Sequence, residues 1–285
     1  MNTLKPFLKW VGGKKQIISI ITDKIPKKIA TYYEPFVGGG SVFLALLSQV
    51  VHGEREIKKM IISDKNAALI NTYKCIKKEP KKLIKVLERL SKQYHSKRMA
   101  GKEKLYYTLR DKYNQPSGSS LDKAALFIFL NKTCFRGLYR EGPHGFNVGF
   151  GNYVNPCIYD KEEILMISRC LNRYTVLFKH RVYDVMLDTV GKGDFVYLDP
   201  PYYPINEKSF VEYHKNGFAL SDHEALREFC YQLDKKSVKL LMSNSYTKYN
   251  VKTYGKYKMR KILCKRRIHS KTPQSTEYEV LISNY

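Results

Sequence analysis

The sequence of 285 residues lacks several common functional signatures. Its six cysteines form no Cys-x-x-Cys pair and have no histidine cluster beside them, so we expect neither a metal site nor a disulfide framework. Its longest apolar stretches, such as residues 124–130, are far shorter than the roughly 20 residues that span a bilayer. Residues 1–10 show no signal-peptide pattern. These absences predict a cytoplasmic protein with no membrane partner.

Acidic residues are scarce relative to basic ones. The chain has 26 Asp and Glu against 51 Lys and Arg, a formal net charge of +25. Because such a surplus repels itself in the folded state, it favours a polyanionic partner such as nucleic acid. An evenly spread lysine bias is the plainer alternative, and the lysine pairs at residues 77–78 and 81–82 fit a solvated helix face.

The order of the predicted elements indicates an α/β core interrupted by a helical insert. A short strand runs into the glycine cluster at 38–40, a helix follows over 41–51, and a second strand ends at Asp64, as in a doubly wound sheet. Helical periodicity follows to about residue 130, and a hairpin is predicted over 137–148. Strands return after Pro156. We therefore predict a mostly parallel core of residues 1–66 and 155–285, with an insert over 67–154.

The most specific motif is Asp199-Pro200-Pro201-Tyr202, directly after the apolar strand 195–198. Open α/β sheets bind ligands at the carboxyl ends of their strands. The Asp199 carboxylate and the Pro200 carbonyl can together accept hydrogen bonds from both hydrogens of an exocyclic amino group on an aromatic ring. This frees the lone pair of the amino nitrogen for attack. Pro201 stiffens the loop, and Tyr202 offers a flat face to a base rotated out of a duplex. A Pro-Pro turn that simply ends a strand is the structural alternative.

A second motif, residues 34–40, contains the glycines Gly38, Gly39 and Gly40. Without Cβ atoms the backbone can closely approach a bound nucleoside, although the spacing is not the dinucleotide fingerprint. Asp64, at the end of the following strand, is placed to bind ribose hydroxyls. Upstream, Lys9 and Lys14 flank the only tryptophan, Trp10, which is either a core residue or part of a clamp over a ligand.

These motifs, together with residues 131–140 and 146–148, resemble those of the Dam-type family of DNA adenine methyltransferases, in the family's order and essentially end to end. The resemblance implies a Rossmann-like methyltransferase core with a DNA-recognition insert. It implies transfer of a methyl group from S-adenosylmethionine (AdoMet) to N6 of adenine in double-stranded DNA, with Asp199 to Tyr202 holding a flipped adenine. The residues expected at the cofactor are Trp10, Lys14, Glu34, Phe36, Gly38, Gly40, Asp64, Asp184 and Asp199.

The same resemblance implies a DNA contact by five residues: Lys9, Phe135, Arg136, Leu138 and Arg140. Arg140 suits a bidentate contact with guanine, and Phe135 suits insertion into the space that the base leaves. Lys9, Leu138 and Arg140 match family members whose target is GATC. Arg136 and Gly149 depart from the family, which commonly has a small polar residue such as Asn at the first position and usually Pro at the second. Both departures concern the segment that sets the target sequence.

Other functions stay open at this point. Methylation of the exocyclic amine of cytosine uses the same geometry, and a DNA-binding protein without activity would share the basic charge. Methylation at cytosine carbon 5 requires a thiolate beside a proline, and Pro156-Cys157, the one such pair, lies in the wrong region. We also expect a monomer, with a restriction endonuclease as a possible functional companion.

Overall fold

The computed structural model describes residues 3–204, 218–265 and 276–285. The chain forms two compact units, and it passes between them several times. Unit 1 contains Met1–Lys14, Gly38–Glu54 and Asp64–His180, and unit 2 contains Lys15–Val37, Arg55–Ser63 and Arg181–Tyr285. Within the described residues, none of the helices has the length and apolar character needed to cross a bilayer.

Unit 1 is mainly helical. Its helices are α2 (Ser41–Val51), α3 (Ala67–Lys78), α4 (Pro80–His95), α5 (Met99–Asn114), α6 (Ser120–Thr133) and α7 (Lys161–Arg173). Its strands are β3 (Glu141–Gly142) and β4 (Gly145–Phe146), which form a short antiparallel hairpin, and β5 (Val176–His180). The hairpin predicted over 137–148 is therefore present, but its paired strands are shorter than expected.

Helix α6 forms the centre of the helical part of unit 1. It packs against α3, α4 and α5, and every residue from Ala124 to Asn131 is buried. A helix that is apolar on all sides has no solvent face, which explains why this segment shows no clear amphipathic period. The helix begins at a defined point because Ser119 Oγ accepts a hydrogen bond from the main-chain N–H of Asp122 at 3.1 Å.

Unit 2 contains the sheet. Its strands are β1 (Lys28–Glu34), β2 (Glu56–Asp64, whose last residue belongs to unit 1), β6 (Phe195–Leu198), β7 (Lys239–Ser245), β8 (Lys258–Lys265) and β9 (Thr276–Ser283). Its helices are α1 (Ile18–Lys24), α8 (Leu220–Lys235) and α9 (Lys248–Thr253). A short 3₁₀ helix spans Asp184–Asp188.

The pairing of these strands is mostly parallel. β1 pairs with β2 on one side and with β6 on the other, and β6 pairs with β7, all in parallel. β9 runs antiparallel to β7, and β8 runs antiparallel to β9. The prediction of a mostly parallel, Rossmann-like sheet is confirmed. Because parallel strands end at the same edge, Glu34, Leu198 and Ser245 finish on one edge of this sheet.

The core of unit 2 lies between the sheet and α8. Leu226, Phe229 and Leu233 of α8 are buried with apolar residues of β6, β7 and β9. All four residues of β6 are buried, as the unbroken apolar run at 195–198 predicts for a central parallel strand. This buried strand gives the segment that follows it, which begins at Asp199, a rigid base.

Candidate functional site

The glycine turn of unit 1 is held to the acidic side chain expected beside it. Asp64 Oδ2 accepts a hydrogen bond from the main-chain N–H of Gly38 at 3.1 Å, and Oδ1 accepts one from the N–H of Asn66 at 2.9 Å. Burial raises the pKa of the Asp64 carboxyl, while these two main-chain hydrogen bonds act in the opposite direction. Each carboxylate oxygen keeps lone-pair capacity beyond its one main-chain bond, which suits hydroxyl donors such as those of a ribose.

The turn itself requires glycine. Gly38 and Gly40 have φ values of +47° and +73°, a region that residues with a Cβ rarely adopt. A Cβ on Gly38 would lie 2.7 Å from the Trp10 ring, and one on Gly40 would overlap the hydroxyl of Tyr73. The Tyr73 hydroxyl also donates to the Gly38 carbonyl at 3.1 Å. The turn is therefore packed tightly on one side by Trp10 and on the other by a buried tyrosine.

Trp10 is half-buried and lies between the glycine turn and the segment expected to bind DNA. Its ring stacks on Tyr139 at 5.8 Å between centroids and contacts Phe127 at 6.4 Å. Lys14 is almost fully buried, and its Nζ donates to the carbonyl of Gly12 at 2.6 Å. Unit 1 thus brings together Trp10, Gly38 and Asp64. The side chain of Lys14 bonds instead to the main chain of its own segment, at Gly12.

Four of the expected cofactor residues lie in unit 2, namely Glu34, Phe36, Asp184 and Asp199. Glu34 is buried at the end of β1, where one carboxylate oxygen accepts a 2.5 Å hydrogen bond from the Tyr32 hydroxyl. Phe36 packs on Tyr183 at 5.3 Å between ring centroids. Tyr183 directly precedes Asp184, which is exposed and begins the 3₁₀ helix. Phe36 and Asp184 are therefore neighbours in space, although 148 positions separate them in sequence.

The segment Asp199-Pro200-Pro201-Tyr202 leaves the carboxyl end of β6 as predicted. The Tyr202 hydroxyl donates to Glu279 Oε2 at 2.8 Å, and Asp199 is half-buried. Burial first, and then the nearby charges of Asp199 and Glu279, raise the pKa of Tyr202 well above its usual value. Both effects favour the neutral phenol form of Tyr202 over its anion.

The residue after this motif is clamped by the end of β7. The main-chain N–H of Tyr203 donates to Asn244 Oδ1 at 3.1 Å, and Ser245 Oγ donates to the Tyr203 carbonyl at 2.6 Å. The Tyr203 ring stacks on Tyr249 at 4.0 Å with an interplanar angle of 6°. These residues were missed at the sequence level. The polar run at 243–245, at the end of an otherwise apolar strand, was the available signal.

The expected DNA-binding residues lie in and beside the hairpin of unit 1. Phe135, Arg136 and Gly137 form a 3₁₀ turn in which Phe135 is half-exposed and Arg136 has a φ of +55°. Arg136 thus occupies a left-handed position, which asparagine would tolerate better than arginine. The Arg136 guanidinium lies 5.1 Å from the centre of the Phe135 ring.

Arg140 is anchored by the Phe-Asn-Val motif that follows the hairpin. Its Nε donates to Asn147 Oδ1 at 2.7 Å, and one terminal nitrogen approaches the Asn147 carbonyl at 3.4 Å. Asn114 of α5 fixes the other part of the hairpin, because its side chain bonds both the N–H and the carbonyl of Phe146 at 2.9 Å. The sequence indicated Arg140 and the motif that contains Asn147, but it gave no sign of Asn114.

The mostly parallel sheet of unit 2, in which Asp199-Pro200-Pro201-Tyr202 directly follows a buried strand, is the Rossmann-like α/β arrangement of a methyltransferase. The model of the D12 class of N6 adenine-specific DNA methyltransferases matches residues 10–272. The chain belongs to this family. It is therefore an enzyme that methylates adenine N6 in DNA, which decides against the cytosine and non-catalytic alternatives.

Individual relatives are similar to this chain in sequence over nearly their whole lengths. The Type II methyltransferase M.MjaIII of Methanocaldococcus jannaschii is 39% identical, covering 99% of each chain. The Type II methyltransferase M1.LlaDCHI of Lactococcus lactis subsp. cremoris is 33% identical over 99% of this chain and 96% of its own. The DNA adenine methylase of Escherichia coli strain K12 is 28% identical over 100% of this chain and 96% of its own.

Proposed function

We propose that AdoMet is the methyl donor and that the residues expected at the cofactor hold it. In unit 1 these are Trp10, Lys14, Gly38, Gly40 and Asp64, and in unit 2 they are Glu34, Phe36, Asp184 and Asp199. The donor, when bound, supplies a methyl group on a positively charged sulfur. The spare lone pairs of the Asp64 carboxylate and the exposed carboxylate of Asp184 support this role, because both suit the polar edges of a nucleoside.

We infer that Asp199 and the Pro200 carbonyl accept the two amino hydrogens of the target adenine, while Tyr202 stacks on its ring. The single observation that carries this proposal is the set of hydrogen bonds that hold the segment directly after Asp199 and Pro200. The Tyr202 hydroxyl is bonded to Glu279, and both main-chain polar groups of Tyr203 are held by the end of β7. Acceptors that are fixed before the substrate arrives need no reorganisation as charge develops on the nitrogen.

Base recognition is assigned to the segment of unit 1 around the hairpin. We propose that residues 67–154 act as the target-recognition part, that Lys9, Arg136, Leu138 and Arg140 contact DNA, and that Phe135 enters the space left by the flipped base. The half-exposed Phe135 ring and the Asn147 anchor of Arg140 support these roles. Asn147 holds one edge of the guanidinium, through Nε and one terminal nitrogen, and the remaining N–H groups of the terminal nitrogens suit a contact with a base.

We further propose GATC as the target sequence, a monomer as the active form, and a restriction endonuclease as the functional companion. Two relatives are named Type II methyltransferases, which supports the last of these. In the test, the protein is expressed in cells that lack adenine methylation, and the positions of N6-methyladenine in the cellular DNA are mapped by sequencing. Methylation confined to GATC is expected, whereas methylation at another sequence would overturn the assigned target and leave the catalytic proposal intact.

A further inference from the structure

We propose that Asn131 is a positioning residue for target recognition, because it fixes the main chain of Lys9 against the turn that carries the other DNA-binding residues. This inference rests on the proposed function, since the contact of Lys9 with a base is itself a proposal. Asn131 belongs to α6, is 3% exposed, and lies within unit 1 together with both segments that it joins.

The Asn131 amide makes three hydrogen bonds with main-chain groups. Its Oδ1 accepts from the N–H of Lys9 at 2.8 Å, and its Nδ2 donates to the carbonyl of the same residue at 2.7 Å. The second hydrogen of Nδ2 is directed to the carbonyl of Gly137 at 3.2 Å. One side chain therefore pairs with both polar groups of Lys9, which is 122 positions away, and also with the recognition turn.

Only an amide fits this set of partners. One N–H group requires an acceptor, and two carbonyls require donors, which matches the single oxygen and the two hydrogens of a carboxamide. The reverse orientation would place Nδ2 against an N–H group and Oδ1 against two carbonyls. Because Asn131 is 3% exposed, a main-chain group that loses this side chain as its partner also loses free energy of hydrogen bonding.

The side chain of Lys9 is confined by the same turn. A Cβ on Gly137 would lie 2.5 Å from Lys9 Cβ and 2.7 Å from Lys9 Cδ, so the lysine stem runs directly over the glycine. The Lys9 ammonium lies 4.1 Å from the centre of the Tyr153 ring. Asn131 fixes the main chain of Lys9, and Gly137 confines the stem of its side chain, so the ammonium group of Lys9 is held in one place. Recognition of a particular DNA base requires a charge that is held in this way.

The test is a double-mutant cycle between Asn131→Asp and Lys9→Ala. Asn131→Asp keeps an acceptor for the Lys9 N–H group but removes both donors, and Asn131→Ser, which is too short to span Lys9, serves if the first variant does not fold. For each variant, kcat/KM is measured on the mapped target duplex and on duplexes with one base pair changed. The ratio of the two values gives the discrimination at each base pair.

We expect Asn131→Asp to reduce discrimination by about tenfold at the base pair where Lys9→Ala reduces it. The double variant should discriminate no worse than Lys9→Ala alone. Without the Lys9 ammonium, the residue at position 131 has no charged group to position. Thr133→Val is the matched control. Thr133 lies in the same helix, is also buried and loses one hydrogen bond, from Oγ1 to the Phe129 carbonyl of its own helix.

Two results would overturn the proposal, and they have different consequences. Equal losses at every base pair that add to those of Lys9→Ala would make Asn131 a purely structural residue, with the proposed role of Lys9 intact. Unchanged discrimination in Lys9→Ala would remove Lys9 from base reading altogether, and the inference about Asn131 would fail together with that part of the proposed function.

Discussion

The glycine turn gives the prediction with the clearest physical basis, the substitution Gly40→Ala. Gly40 has a φ of +73°, and a Cβ there would overlap the buried hydroxyl of Tyr73. A left-handed alanine costs about 1–2 kcal/mol. Overpacking against a buried side chain adds about 1–3 kcal/mol. We therefore expect Gly40→Ala to lower the free energy of unfolding by about 2–5 kcal/mol.

Gly53 provides the control that separates these two contributions. Its φ is +76°, and no heavy atom lies within 4 Å of the position that its Cβ would occupy. Gly53→Ala should therefore cost only the backbone strain, about 1–2 kcal/mol. In a Tyr73→Phe background the overlapping hydroxyl is absent, and the cost of Gly40→Ala should fall to the value for Gly53→Ala.

Urea-unfolding midpoints and slopes for these variants measure the stabilities, and calorimetric titration measures AdoMet binding. Gly40→Ala should weaken AdoMet binding as well, because the glycine turn must shift to make room for the alanine side chain. Gly53→Ala should leave AdoMet binding unchanged. If Gly40→Ala and Gly53→Ala destabilise the protein equally, or if Tyr73→Phe gives no relief, the packing argument for the turn is refuted.

Two further predictions concern binding. Because burial raises the pKa of Asp64, its carboxylate becomes protonated at a higher pH than an exposed aspartate as the solution is acidified. As the pH is lowered, AdoMet affinity should therefore begin to fall at a higher pH than it would with an exposed aspartate. The Asp64→Asn variant should bind AdoMet more weakly at every pH and should lose this pH dependence, which calorimetric titrations at several pH values would measure. Arg140→Ala should cost about 1–3 kcal/mol of discrimination at one base pair in kcat/KM measurements, and unchanged specificity would remove the guanine contact.

The sequence alone predicted the parts of the protein that depend on local pattern. The buried strand before Asp199, the aspartate at the end of β2 and the glycine turn were all evident, because burial, strand ends and left-handed turns each restrict residue types locally. The hairpin strands are shorter than predicted, and the side chains of Asn114 and Asn147 bond to Phe146 and Arg140 at the hairpin, which alternation alone does not indicate.

The residues that position the site could not be found in this way. Asn131 joins segments that are 122 positions apart, and Asn244 with Ser245 holds a residue 41 or 42 positions away. A buried asparagine in an apolar helix has the same local signature whether it merely caps a turn or bridges two loops. Only the three-dimensional partners distinguish these cases.

The central claim is that the Asp199 carboxylate activates the amino group of adenine. The most direct measurement is the single-turnover rate of labelled methyl transfer to the target duplex by Asp199→Ala, with AdoMet and DNA binding measured on the same preparation. We expect the rate to fall by at least about 10²–10³-fold while both ligands still bind. Transfer near the wild-type rate by a folded Asp199→Ala protein would contradict the account.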